Sequence, residues 1–99
     1  MSLNRNEQQL FEYLEANRDE RQFWEQKVRE FDAKLPNRPE AAHRIERELW
    51  RYYVERSAVV PIFKHAVERD GLRRISLQNL AEYLLRLWVP PRARKPSQG

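Results

Sequence analysis

The chain has 99 residues, 40% of them hydrophobic and 34% charged, with a formal net charge of +4. That length holds one domain with one modest core, and the apolar share is too large for a disordered chain. There is no cysteine, which excludes disulfides, thiolate catalysis and cysteine-bound metal.

No run approaches about 18 consecutive apolar residues, so no transmembrane helix is expected. Met1-Ser2-Leu3-Asn4-Arg5 has no apolar signal-peptide core, and a cytoplasmic protein is the expectation. Charge is uneven along the chain. Residues 1–55 hold 10 Lys/Arg against 12 Asp/Glu, net −2, whereas residues 56–99 hold 9 against 3, net +6. Arg92, Arg94 and Lys95 supply 3 of the latter charges. Such asymmetry suits an acidic partner or head-to-tail attraction between copies of the chain.

The first helical segment runs from about Asn4 to Lys34. Leu10, Leu14, Trp24, Val28, Phe31 and Leu35 keep a helical rhythm, with Phe11 and Phe23 widening the face. Two readings are open. One is a single long helix. The other is a break at Asn17, which tolerates the left-handed conformation and can cap the next turn with Glu20 three residues on. Leu35-Pro36-Asn37-Arg38-Pro39 ends the segment, because the residue before a proline avoids the α region.

A second helix is predicted from about Pro39 to Asp70, with Ala42, Ile45, Leu49, Tyr52, Val59, Phe63 and Ala66 on one face. Pro61 lies within it and predicts a kink or short interruption at residues 57–61. Gly71 suits the left-handed position that ends a helix, with Val67 and Leu72 as its hydrophobic contact. Ser76 is the predicted N-cap of the last helix, stapled by Ile75 and Leu80.

That last helix carries the strongest pattern in the chain. Leu77, Leu80, Ala81, Leu84, Leu85, Leu87 and Trp88 fall at helical spacing over a broad face. A surface helix of a small monomer needs an apolar stripe of only about 100°. The breadth predicts either the central helix of a bundle or a helix shared with a second chain. Pro90-Pro91 stops it after Val89, and residues 90–99 are expected to form an exposed, disordered Pro/Arg/Lys tail.

Together these elements predict an all-α fold. It is a small antiparallel bundle of three long helices, divisible into four or five, with no sheet and one domain over residues 1–89.

Candidate chemistry is sparse. Glu40-x-x-His43 has the spacing of carboxylate-bridged metal bundles, but the chain has two histidines and no second such motif. His65 has no nucleophile or orienting partner nominated by the sequence. With two glycines, phosphate loops and dinucleotide fingerprints are absent. The expectation is therefore no enzyme activity, no metal, no cofactor and no small-molecule substrate.

Two binding functions remain. The first is noncatalytic protein–protein interaction, as an accessory or regulatory module that forms a homodimer. Its buried or interfacial anchors would be Trp24, Trp50, Tyr53, Leu84, Leu87 and Trp88, the residue types that dominate interface energetics or widen the apolar faces, and the pair Phe23-Trp24 poses the same choice between core and interface. Trp50, Tyr52 and Tyr53 cannot all face one core, so Trp50 or Tyr53 should look outward. Asn17, Arg21 and Arg56 interrupt apolar faces and could set register between chains. The second is a nucleic-acid-binding regulator with a helix-turn-helix-like corner at residues 61–88. Lys64, Arg69, Arg73, Arg74, Gln78, Asn79 and Arg86 would contact phosphates and bases. Against it, Tyr83 and Leu87 crowd the reading face, Glu82 opposes phosphates, and the turn is longer than usual.

Overall fold

The computed structural model describes residues 3–89. Five α-helices follow one another: α1 (Arg5–Ala16), α2 (Arg18–Lys34), α3 (Arg38–Ser57), α4 (Pro61–Asp70) and α5 (Gln78–Trp88), with a 3₁₀ turn at Leu72–Arg74 before α5. There is no strand among the described residues. The all-α expectation holds, and the predicted tail at residues 90–99 lies outside the described residues.

The chain breaks where its backbone loses hydrogen-bonding options. Asn17 separates α1 from α2 in an extended conformation, φ −118° and ψ 95°. Its side chain does not cap α2. The Asn17 amide turns back and donates to the Tyr13 carbonyl at 2.7 Å, and Glu20 is drawn instead to Tyr52. At the second corner Leu35 is extended ahead of Pro36. Asn37 then caps α3, its side chain accepting from the Glu40 N–H at 2.9 Å. Arg38 and Asp32 close this corner with a 2.7 Å ion pair.

Pro61 does more than kink a helix. It has no N–H to continue the ladder, so α3 ends at Ser57 and α4 starts afresh with Pro61 in its first turn. Gly71 has the expected positive φ of 82°, but ψ is 146°, so the chain leaves α4 into the 3₁₀ turn rather than a left-handed cap.

The start of α5 corrects the sequence reading. Leu77, not Ser76, occupies the N-cap position, and it offers no side-chain cap. A residue more than seventy positions away does the capping. Glu7, fully buried in α1, accepts from the Leu80 N–H through Oε2 at 2.8 Å. Its Oε1 accepts from the Asn4 N–H at 2.8 Å, while the Asn4 side chain accepts from the Glu7 N–H, forming a capping box. The Asn4 amide also donates to the Ser76 carbonyl at 3.0 Å. One carboxylate thus satisfies orphan donors at two helix starts.

α5 is the centre of the bundle. It packs against α1, α2 and α3, and α4 closes the structure against α1 and α3. Leu77, Leu80, Ala81, Leu84, Leu85 and Trp88 are all buried, joined in the core by Leu10, Leu14, Trp24, Val28, Ile45, Leu49, Tyr53 and Phe63. At about 1.5–3 kcal/mol per large apolar side chain, this face supplies much of the fold's driving force. Its far end is held too, by the Arg29 Nε–H donating to the Trp88 carbonyl at 3.0 Å. The broad stripe on α5 is therefore used inside one chain, and only Leu87 of that set stands out, at 47% exposure.

Glu7→Ala is expected to lower stability by about 2–4 kcal/mol, because the buried Leu80 N–H and the partly buried Asn4 N–H both lose their acceptor; urea unfolding measures it. Gly71→Ala should cost about 1–2 kcal/mol through backbone strain. A Cβ at Gly71 meets nothing within 4 Å, so Gly71→Ser should cost the same in that assay.

Candidate interaction surface

α2 and α3 lie antiparallel, zipped by alternating rings and charges. Trp24 meets Tyr52 edge-on at 5.3 Å. The Lys27 ammonium lies over Phe23, Trp24 and Phe31 at 5.3, 5.9 and 5.7 Å and pairs with Glu48 at 3.7 Å. The Arg44 guanidinium covers Phe31 at 5.4 Å. The Tyr52 hydroxyl donates to Glu20 Oε1 at 2.5 Å. Arg56 joins this pair, 3.4 Å from the same oxygen and 5.2 Å from the Tyr52 ring. Burial pushes the Tyr52 phenol well above its ordinary range, and the carboxylate of Glu20 adds to the shift. Arg56 and Arg21, candidates for register contacts between chains, find carboxylates within this chain at Glu20 and Glu15.

Between the two helices runs a groove of about 400 Å³, walled by Phe23, Lys27, Glu48 and Arg51 among others. A second hollow of about 350 Å³ lies along α3 between His43, Arg47, Trp50 and Arg51. Arg51 borders both hollows, between Phe23 in one and Trp50 in the other. Phe23 is 56% and Trp50 39% exposed. Arg47 and Arg51 form no ion pair among the described residues. An exposed tryptophan between unpaired arginines has the composition of an interface anchor.

The structure divides the anchors expected from sequence. Trp24, Tyr53, Leu84 and Trp88 are core residues, the buried members of that set. Trp24 is taken up by Tyr52, and Tyr53 stacks on Phe63 at 4.9 Å. Trp50 and Leu87 face outward. Of the pair Phe23-Trp24, the structure turns Phe23 outward and buries Trp24, because only one of two adjacent rings on a helix can face the core. Val59 and Ile62 are exposed at the α3–α4 corner, at 70% and 48%.

The cationic corner is laid out differently from the expected reading site. Lys64, Arg73, Arg74, Gln78 and Arg86 are exposed, Asn79 is half-buried, and Arg69 is paired with Asp70 at 3.1 Å. Gln78 and Arg86 sit at opposite ends of α5, roughly 12 Å apart along its axis at about 1.5 Å per residue. The helix between them is packed against three others. His43 is exposed and 4.0 Å from Glu46. Among the described residues no group of three or more His, Asp or Glu side chains is placed to hold a metal ion. No helix among them is long and apolar enough to cross a membrane. Comparison of the chain with protein-family models, curated proteins and solved structures finds no match.

Tyr52→Phe should cost about 1–2 kcal/mol at neutral pH, the loss of a charge-assisted hydrogen bond in a partly exposed setting. The folded Tyr52 phenol holds its proton more tightly than the unfolded one. Its contribution is therefore complete below the ordinary tyrosine range and lost as pH rises above about 10. Urea midpoints across that range should fall less steeply in Tyr52→Phe, Tyr53 accounting for part of the remainder through its own upward shift.

Proposed function

We propose that the protein is a noncatalytic interaction module that acts by associating with other protein surfaces, most simply as a homodimer. One observation carries the reading. After the core is complete, the α2–α3 face still presents Phe23 and Trp50 to solvent in two hollows that share Arg51, with Arg47 and Arg51 beside the tryptophan. Scattered exposed apolar residues are ordinary, whereas a patch edged by charge marks an interaction site.

The sequence suggested an apolar excess on the first helical segment, residues 4–34, and on the last helix. In the fold α5 spends its face on the core, while α2, the second half of that first segment, keeps Phe23 exposed, and further surplus stands on α3 and at the corner of Val59 and Ile62. The accessory or regulatory role assigned to the module follows from its small size and the lack of a nominated catalytic group.

Sedimentation or light scattering of the full chain over a wide concentration range tests the reading. A mass of twice the chain is expected at high concentration. Trp50→Ala should raise the dissociation constant at least about tenfold, as truncation of an interface hot spot does. Val59→Ala, away from the patch, should change it little. A single-chain mass throughout would overturn self-association.

A further inference from the structure

The α2–α3 face carries two exposed stripes of opposite charge. On α2, Asp19, Phe23, Gln26 and Glu30 fall four, seven and eleven residues along, all exposed, which places them in one line. Neither Asp19 nor Glu30 forms an ion pair among the described residues. On α3, Arg47, Trp50 and Arg51 are likewise exposed and share one face. Each stripe has an aromatic side chain at its middle. The α2 stripe is acidic and the α3 stripe basic.

The heights of these residues are fixed by contacts within the chain. Lys27 is level with Glu48, Trp24 with Tyr52, and Phe31 with Arg44. By the same progression Glu30 is level with residues 45–46, Gln26 with residues 49–50 and Phe23 with residues 52–53, which sets Glu30, Gln26 and Phe23 within about 3 Å along the axis of Arg47, Trp50 and Arg51 respectively, at about 1.5 Å per residue. A twofold axis along the groove between α2 and α3 would keep every height and the direction of every helix. It would lay α2 of one copy antiparallel across α3 of the other.

We propose that the protein dimerises through this face, the acidic α2 stripe of each copy on the basic α3 stripe of the other. The proposal rests on the self-association reading above and names its geometry. Phe23 then lies over Arg51 of the second copy, an arrangement that guanidinium and ring both favour. Glu30 meets Arg47 of the second copy, and Trp50 packs against the stem of Gln26. The interface is isologous, so every contact occurs twice and the assembly closes at two copies. Like-charge alternatives, α2 on α2 or α3 on α3, bring equal charges together and are disfavoured.

Charge reversal tests this pairing in the full chain. Arg47→Glu/Arg51→Glu makes the α3 stripe acidic, and Gln26→Arg/Glu30→Arg makes the α2 stripe basic. These four side chains are exposed and outside the core, and thermal unfolding of each variant checks that the fold is kept. Each variant alone should be monomeric at concentrations where the unaltered chain is dimeric, its dissociation constant raised at least tenfold. Mixed in equal amounts they should form a heterodimer, because both halves of the mixed interface again join opposite charges. A variant that dimerises as well as the unaltered chain, or a mixture that stays monomeric, would overturn this geometry and leave self-association standing. An unaltered chain monomeric at every concentration would overturn both. If that monomer bound duplex DNA with steep salt dependence, lost in Arg47→Glu/Arg51→Glu, the arginines would belong to phosphates instead.

Discussion

One buried carboxylate decides how the bundle closes. Glu7 lies at the start of α1, and the helix it must anchor begins more than seventy residues later. A helix start leaves backbone N–H groups without partners, and the inward side of the first turn of α5, at Leu80, is buried away from water. Its own N-cap residue is Leu77, which has nothing to offer. Glu7 supplies the missing acceptor and is held in place by the Asn4 box. Burying a charged group is costly unless its oxygens are satisfied. Here both oxygens are satisfied by backbone donors, and that requirement fixes the register of α5 against α1.

The register has consequences across the molecule. Because α5 enters at the Glu7 end and leaves at Arg29, its broad apolar face is pressed between α1, α2 and α3. α2 and α3 then need each other on one flank only. They zip through rings and charges, with Lys27 and Arg44 lying flat on aromatic faces. The outer sides of both helices are left with side chains that the core has no use for. Phe23 and Trp50 stand there because adjacent Trp24 and nearby Leu49 and Tyr53 already fill the interior.

The helical class, the corner at Leu35–Asn37 and the break near Pro61 were legible in the sequence, and the breadth of the last helix's apolar face left open whether it would be central or shared with a second chain. These follow from local rules, apolar spacing and proline chemistry, whereas the capping of α3 by Asn37 was seen only in the structure. What stayed hidden was long-range. Nothing near Ser76 tells that a glutamate in α1 will take over its capping role. Nothing near Asn17 tells that Glu20 will be claimed by Tyr52. The interaction surface was legible by half. Crowding of three rings at Trp50, Tyr52 and Tyr53 foretold that one must turn outward. Which of the aromatic residues at Phe23 and Trp24 does so depends on where α3 lies, a fact of tertiary packing.

The clasping of α5 at both ends by side chains from α1 and α2 bears on how the protein comes apart. Leu80, Leu84 and Trp88 are buried in the same core as Leu10, Trp24 and Ile45, so α5 cannot swing out without uncovering the apolar walls of three other helices. Fraying at either end of α5 also breaks a hydrogen bond to another helix. The bundle therefore has no half that melts on its own, and its loss of structure is a single cooperative event.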